Sequence, residues 1–172
     1  MRDKVYDIFL NQDFEITEED IVALIKYYEL LREYNSKFNL TSITENDEVI
    51  IKHFLDSAML TKFLSDTTGK SFIDIGTGAG FPGMVLAIFM PHSNFTLVEA
   101  SNKKCMFLNA VKTELSLDNV SVICGRAEEL GREDSLREKY DFALSRAVAR
   151  LNTLLEYLFP FVKVNGKIVC YK

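Results

Sequence analysis

The chain has 172 residues, of which 48% are hydrophobic and 26% charged, a length and composition ordinary for one soluble globular domain with a buried core. No apolar stretch approaches the roughly 20 residues of a membrane span, and no signal-peptide pattern opens the sequence. The net charge of −5 arises in residues 1–70, which carry 8 basic and 14 acidic side chains against 12 and 11 in the remainder. Any nucleic-acid partner must therefore meet a local basic patch on the second part of the chain.

The cysteine and histidine content argues against metal binding and disulfides. Cys105, Cys124 and Cys170 are widely spaced and form no C-x-x-C pair, so we expect reduced, mostly buried thiols of a cytosolic protein. His53 and His92 are too few for a His-rich zinc site. We expect a cytoplasmic monomer with neither a metal nor a membrane as partner.

The first third of the chain is predicted to be entirely helical. Thr17 followed by Asp20 resembles a capping box, which marks the start of a long helix. The predicted helices cover residues 1–12, Thr17 to about Asn35, and about Asp47 to near Gly69, with a polar break N-L-T-S-I-T at 39–44.

From residue 71 the pattern alternates between strands and helices. The predicted strands are 71–75, 95–99, 120–124, 140–145 and 166–171, and the predicted helices lie near 82–90, 102–116, 128–138 and 150–159. Such alternation indicates parallel βαβ units in a doubly wound α/β sheet, with ligands at the carboxyl ends of the strands. We predict a helical cap over residues 1–68 and a ligand-binding sheet domain over residues 69–172.

The most informative stretch is Ser71–Gly83, S-F-I-D-I-G-T-G-A-G-F-P-G. It reads as a buried strand containing Asp74, followed by a sharp glycine turn and an apolar helix, an order that directs backbone N–H groups at a ligand. Its G-x-G-x-G spacing differs from the dinucleotide fingerprint G-x-G-x-x-G. An acid just before the glycines suits a ligand with a cationic end, such as the amino-acid part of S-adenosylmethionine, and would repel a pyrophosphate.

Two further strand ends fit an adenosine. Glu99 ends the second strand and can accept both ribose hydroxyls, although a solvated charge is the alternative. After the third strand, the segment 125–128, G-R-A-E, is expected under the adenine, with the small Ala127 against the ring edge.

The loop after the fourth strand has the sequence S-R-A-V-A-R at 145–150, and the motifs that it lacks limit which atoms the protein could methylate. It has neither the Asn/Asp-Pro-Pro-aromatic sequence used to methylate exocyclic amines nor the cysteine needed to methylate C5 of a pyrimidine. An acceptor with a free lone pair, such as guanine N7, needs only alignment and no general base. Arg146 is expected to bind phosphate or a base edge or to orient the cofactor, or else to pair with Asp74 or Glu99 and hold the loop.

Polar residues also precede the sheet. His53 and Asp56 lie three apart on a predicted helix and so share a face, either as a catalytic dyad or as a polar junction between cap and sheet. Basic residues that are either phosphate contacts or solvated charges are Lys103, Lys104, Lys112, Arg126 and Arg150.

Four motifs together resemble the GidB/RsmG family of bacterial 16S rRNA guanine-N7 methyltransferases. They are N-L-T-S-I-T at 39–44, K-H-F-L-D-S at 52–57, F-I-D-I-G-T-G-A-G-F-P-G at 72–83 and S-R-A-V-A at 145–149. The resemblance spans roughly residues 20–172 and implies methyl transfer from S-adenosylmethionine to a guanosine of the assembled small ribosomal subunit. The resemblance also implies a Rossmann-like methyltransferase sheet, mainly parallel. The sequence stops at the fifth strand, so we expect the final strands of such a sheet to be missing.

Motif by motif, the resemblance implies cofactor contacts at Gly76, Phe81, Ala127, Glu128 and Arg146. Combined with the glycine turn and the strand-end acid, the predicted cofactor-binding residues are Asp74, Gly76, Gly78, Gly80, Phe81, Glu99, Ala127, Glu128 and Arg146. Arg146 is also the predicted catalytic residue.

Two other functions remain open at this point. An NAD-dependent reductase would explain the glycine turn and Glu99, but it leaves Asp74 without a purpose. A non-catalytic RNA-binding or ribosome-binding module could retain a cofactor pocket and use the acidic helical third to dock protein.

Overall fold

The computed structural model describes residues 1–146 and 150–171 and contains an α/β fold with helices at its N-terminus. The α-helices are α1 (Arg2–Leu10), α2 (Glu18–Phe38), α3 (Asn46–Val49), α4 (Asp56–Ala58), α5 (Gly83–Phe89), α6 (Asn102–Glu114), α7 (Ala127–Leu130) and α8 (Leu151–Leu158). A π-helical segment, Ile50–Leu55, joins α3 to α4, and a 3₁₀ segment, Met59–Phe63, follows α4. The strands are β1 (Ser71–Ile75), β2 (Asn94–Glu99), β3 (Val120–Cys124), β4 (Tyr140–Arg146) and β5 (Val162–Tyr171).

The five strands form one parallel sheet in the order β3-β2-β1-β4-β5. The chain moves outward from β1 to β3 and then returns to place β4 on the other side of β1. This reversal creates a switch point between β1 and β4, where the carboxyl ends of neighbouring strands leave a crevice. The predicted doubly wound parallel sheet is therefore confirmed.

Alternate residues of each strand bury opposite faces of the sheet. One face carries a row of stacked rings, with Phe72 lying 4.7 Å from Phe95 and 4.5 Å from Phe142 between ring centroids, and it packs on α5, α6 and the N-terminal helices. The other face carries Ile73 and Ala143 and packs on α8. The N-terminal helices thus share a hydrophobic core with the sheet, and the domain boundary at residue 68 stays a prediction.

The first four predicted strands and the long N-terminal helix agree closely with the structure, and the Thr17–Asp20 capping box is present. The fifth strand begins at Val162 rather than at the predicted residue 166. The predicted third helix is instead broken into α-, π- and 3₁₀-helical pieces and ends at Phe63, before Leu64 turns extended. The prediction of a helix over 128–138 is also wrong. The observed helix ends at Leu130, and Glu138 has a positive φ of 53°.

The expectation of three reduced thiols is wrong for two of the cysteines. Cys105 of α6 and Cys124 at the end of β3 are joined as a disulfide, with their Cα atoms 6.0 Å apart. Because α6 packs back along β3, residues 19 positions apart in sequence become neighbours. Spacing alone gave no sign of this pairing, and Cys170 is the cysteine that the described chain leaves unpaired.

No helix within residues 1–146 or 150–171 is both long and apolar enough to cross a membrane. In the same two ranges, no group of three or more His, Cys, Asp or Glu residues is placed to hold a metal ion.

Candidate functional site

The glycine turn lies at the carboxyl end of β1, where the sequence predicted it. Gly76, Gly78 and Gly80 have φ angles of 68°, 63° and 97°, in the left-handed region that favours glycine. At Gly80 a side chain is also excluded by space, because a Cβ atom would lie 2.9 Å from Met84 Cβ and against the Tyr27 hydroxyl. Glycine is therefore required at Gly80 both by backbone conformation and by the packing of the turn against the core.

Asp74 lies behind this turn and organises it. Its carboxylate is 1% exposed, and Oδ2 accepts hydrogen bonds from Thr77 Oγ1 at 2.7 Å and from the Gly83 amide at 2.8 Å. Oδ1 is buried and finds no hydrogen-bond partner in the part of the chain that the structure describes. Burial, the largest influence, raises the pKa of Asp74 to about 6, against the opposing effects of those two hydrogen bonds and of Arg146.

Glu99 ends β2 beside the turn, as predicted. Its Oε2 accepts a hydrogen bond from the Gly78 amide at 3.0 Å, and Oε1 accepts one from the Ser101 amide at 2.9 Å. The side chain is buried, and these two hydrogen bonds hold its carboxylate in place beside the glycine turn. Each oxygen keeps a second lone pair with which to accept a hydroxyl hydrogen.

Two cavities open on either side of the glycine turn and share Gly76. The larger, about 580 Å³, lies between the turn, Arg146 and the N-terminal helices, and the smaller, about 190 Å³, lies beyond Gly76 toward β3. Both lie at the carboxyl ends of the strands, where doubly wound sheets bind ligands. The two cavities, which share Gly76 as a lining residue, together make up the crevice of this site.

The smaller cavity is lined by the loop after β3, which contains the predicted Ala127 and Glu128. Hydrogen bonds from its own backbone amide, the larger effect, and from the Tyr157 hydroxyl lower the pKa of Glu128. Tyr157 of α8 also lines this cavity and was not predicted, since nothing in its sequence surroundings distinguishes it from a helix-surface residue.

Arg146, at the end of β4, is held by three groups from the segment before the sheet. Its Nη1 donates to the Lys52 carbonyl at 3.0 Å and to Asp56 Oδ2 at 3.1 Å, and its Nη2 lies 3.1 Å from His53 Nδ1. The predicted pairing of Arg146 with Asp74 or Glu99 is therefore wrong. His53 and Asp56 meet at the junction of helices and sheet, as one of the two interpretations held, and both contact Arg146.

His53 is buried between the N-terminal helices and the larger cavity. Its Nε2 lies 3.0 Å from Thr41 Oγ1, and its ring stacks on Phe81 with centroids 4.3 Å apart. Burial, and after it the positive charge of Arg146, lowers the pKa of His53 to about 4. The imidazole is therefore neutral at physiological pH.

Phe81 lies at the centre of an aromatic group rather than at its surface. Its ring is 5% exposed and stacks on both His53 and Tyr27, while the Arg146 guanidinium carbon lies 5.2 Å from the ring centroid. Phe81 lines the larger cavity, so its predicted contact with the cofactor stays a prediction.

The long N-terminal helix α2 fixes the glycine turn from outside the sheet. The buried Tyr27 hydroxyl donates a hydrogen bond of 2.5 Å to the Ala79 carbonyl, within the turn. Sequence periodicity placed this helix in the core but could not show that it contacts the ligand-binding turn.

We expect Tyr27→Phe to lower the free energy of unfolding by about 1–3 kcal/mol, because it leaves the buried Ala79 carbonyl without its donor. Urea unfolding measures this change. The matched control is Tyr34→Phe on the same helix, because the Tyr34 hydroxyl has no hydrogen bond within the described ranges, and this substitution should leave the free energy of unfolding unchanged. Equal stability of the two variants would contradict a role for Tyr27 in holding the turn.

The structure thus brings the predicted residues to one crevice. Those lining it are Gly76, Gly78, Phe81, Ala127, Glu128 and Arg146, with Asp74, Gly80 and Glu99 immediately behind or beside the turn. Residues 147–149 of the S-R-A-V-A motif lie outside the described residues. Among the basic residues, Arg126 lines the smaller cavity, whereas the Lys103 ammonium lies 5.6 Å from the Phe38 ring.

A parallel sheet of this order, with a glycine turn after β1 and an acid at the end of β2, defines a Rossmann-like fold. The crystal structure of M. jannaschii TYW2 in complex with AdoMet shares this fold, with a TM-score of 0.57 at 20% identity over 74% of this chain and 53% of that one.

The family model described as GidB, rRNA small subunit methyltransferase G, matches residues 20–172. The relatives of this chain include proteins named ribosomal RNA small subunit methyltransferase G. The one from Alkaliphilus metalliredigens is 47% identical over 92% of this chain and 66% of its own length, and the one from Caldanaerobacter subterraneus subsp. tengcongensis is 54% identical over 86% and 62%. The chain belongs to the rRNA small subunit methyltransferase G family. It spans about two thirds of the length of these relatives.

Proposed function

We propose that this protein transfers a methyl group from S-adenosylmethionine to N7 of a guanosine in 16S rRNA of the small ribosomal subunit, and that it does so in the cytoplasm. The observation that carries the proposal is a pair of cavities at the carboxyl ends of the strands, of about 190 Å³ and about 580 Å³, which share Gly76 of the glycine turn as a lining residue. One cavity suits the adenosine, and the other suits the reactive end of the cofactor together with an acceptor base. Membership of the family supports the same reaction.

The residues around the crevice fit this cofactor. We expect Glu99, which accepts a hydrogen bond from the Gly78 amide of the turn, to accept the ribose hydroxyls as well, and the small Ala127 in the smaller cavity leaves room for a planar ring. The buried Asp74 places negative charge behind the turn, and its Oδ1 accepts no hydrogen bond within residues 1–146 or 150–171. That charge favours the cationic amino-acid end of S-adenosylmethionine and opposes a diphosphate.

When bound, S-adenosylmethionine supplies a methyl group on a positively charged sulfur. The protein's part is to align the acceptor, because guanine N7 has a free lone pair and loses no proton before it reacts. Arg146 borders the larger cavity and can donate to a base edge or a phosphate. His53 does not act as a base in this arrangement, since its Nδ1 faces the Arg146 guanidinium.

Ligand binding separates this function from that of an NAD-dependent reductase. We expect S-adenosylhomocysteine at about 100 times its Kd to stabilise the protein by about 2.7 kcal/mol and to raise Tm by about 5–10 °C. NAD at the same concentration should leave Tm unchanged. Stabilisation by NAD alone would overturn the cofactor assignment.

Methyl transfer separates an enzyme from a non-catalytic binding module. The test is incubation of the full-length protein with labelled S-adenosylmethionine and small ribosomal subunits from cells that lack the gene, followed by mass-spectrometric mapping of the 16S rRNA. We expect one guanosine to gain a methyl group at N7. Binding of the subunits without transfer would favour the binding module instead.

A further inference from the structure

We propose that His53 is a positioning residue that fixes Arg146 in the larger cavity by accepting a hydrogen bond on Nδ1 while its Nε2–H is anchored on Thr41. The inference rests on the proposed function and extends it to the segment before the sheet. It gives the N-L-T-S-I-T and K-H-F-L-D-S motifs a shared purpose, since each supplies part of the support of one arginine.

The protonation of His53 follows from its two neighbours. A guanidinium has only donors, so the 3.1 Å contact between Arg146 Nη2 and His53 Nδ1 requires an unprotonated Nδ1. The single proton of the neutral ring is then on Nε2 and is donated to Thr41 Oγ1 at 3.0 Å. Thr41 Oγ1 also accepts from the Ile43 amide at 3.1 Å, which holds the hydroxyl in place.

The groups that hold the guanidinium come from the π-helical segment Ile50–Leu55 and from Asp56, the first residue of α4. Lys52, His53 and Asp56 project one carbonyl, one ring nitrogen and one carboxylate oxygen to the same group. A wider helical turn alters which backbone and side-chain groups face one direction, and such turns are frequent at functional sites. Asp56 neutralises the arginine but is half exposed, whereas His53 is buried and directs it.

This arrangement leaves two arginine donors for a ligand. Nη1 donates both of its hydrogens and Nη2 one, while the second Nη2–H and the Nε–H have no acceptor within residues 1–146 or 150–171. Guanidinium N–H groups that remain available at the wall of a cavity can donate to a base edge or a phosphate. Without the acceptor on His53, the guanidinium would be hydrogen-bonded only through Nη1 within the described residues, and the direction of its Nη2 donors would no longer be fixed.

The variants His53→Phe and His53→Asn test separately whether the hydrogen-bond acceptor or the aromatic ring of His53 matters. Phenylalanine keeps a ring against Phe81 and removes the acceptor, whereas the amide oxygen of asparagine can stand close to the position of Nδ1. With methyl transfer to deficient small subunits as the assay, we expect kcat/KM to fall at least tenfold for His53→Phe and clearly less for His53→Asn. Affinity for S-adenosylhomocysteine should stay within about twofold of wild type in both. Greater loss in the asparagine variant would overturn the proposal.

A double-mutant cycle tests whether His53 acts through Arg146. In an Arg146→Ala background, His53→Phe should lower kcat/KM by no more than about twofold. The same factor in both backgrounds would show that His53 acts independently, and would overturn the proposal while leaving the proposed function intact. If His53→Phe does not fold, Thr41→Val, which removes the acceptor of Nε2–H, enters the cycle in its place.

A spectroscopic test does not depend on catalysis. The chain contains only two histidines, so a His92→Gln variant leaves the His53 ring as a single set of ¹⁵N resonances. We expect an unprotonated Nδ1 and a protonated Nε2 at pH 7. A protonated Nδ1 would overturn the inference even if methyl transfer is confirmed. If the expected tautomer is found in a protein that does not transfer methyl groups, the contact between His53 and Arg146 is supported and the proposed function is rejected.

Discussion

Replacing Arg146 by alanine should reduce methyl transfer about 100-fold in kcat/KM or more, the largest loss that we expect from a single side chain of the crevice. A factor of 100 corresponds to about 2.7 kcal/mol of transition-state stabilisation, comparable with the loss of charged hydrogen bonds to a substrate. The effect on stability should be smaller, about 1–2 kcal/mol, since the variant leaves the Lys52 carbonyl and His53 Nδ1 without their donor.

Steady-state methylation of small subunits and urea unfolding measure these two effects separately. Arg2→Ala is the matched control, because Arg2 pairs with Glu18 at the exposed surface of the N-terminal helices and lies outside both cavities. It should leave kcat/KM and stability unchanged. An Arg146→Ala protein with wild-type activity would remove this residue from the site.

Replacing Asp74 by asparagine should weaken binding of S-adenosylhomocysteine at least tenfold and at the same time raise the stability of the free protein at neutral pH. Asparagine keeps the shape of the side chain and an oxygen to accept from Thr77 and Gly83, and it removes a buried charge. The binding loss follows because that charge is the one that favours the cationic end of the ligand. The two effects have opposite signs, which separates loss of function from unfolding.

The contribution of Asp74 to the free energy of unfolding depends on pH, and the raised pKa of Asp74 determines its direction. Because the folded-state pKa of Asp74 is raised from 3.8 to about 6, the folded protein holds a proton that the unfolded chain has lost. The stabilising contribution of Asp74 is therefore complete below about pH 4 and is lost as the pH rises through 6, a total of about 3 kcal/mol. His53, whose pKa is lowered to about 4, acts in the opposite direction over the same range.

Urea unfolding of the wild type and of Asp74→Asn between pH 4.5 and 7.5 isolates the contribution of Asp74, since the His53 contribution is common to both proteins and cancels in the difference. We expect the free energy of unfolding of the asparagine variant to increase relative to that of the wild type as the pH rises. A difference that stays constant across this range would show that the carboxylate is not destabilised by burial. Isothermal titration with S-adenosylhomocysteine at pH 7.5 supplies the affinities.

Much of the fold was predictable because its determinants are local. Apolar runs bounded by glycine and polar residues marked the strands, and the Thr17–Asp20 capping box marked the start of α2. The broken third helix was missed because its apolar residues keep a helical period, and periodicity does not distinguish α- from π- or 3₁₀-helical turns. The short α7 was missed because a polar segment after Leu130 is compatible with either a helix or a series of turns.

The sequence by itself determined the glycine turn, the acid before it, the acid at the end of β2 and the parallel sheet that brings them together. These features depend on residue types within a few positions of one another and on the rule that parallel strands end at one edge. Only the tertiary structure decided the partners of Arg146, the contact of Tyr27 with the turn and the pairing of Cys105 with Cys124. Each of these joins side chains that are distant in sequence, and such contacts arise from how helices pack on a sheet, which no local pattern records.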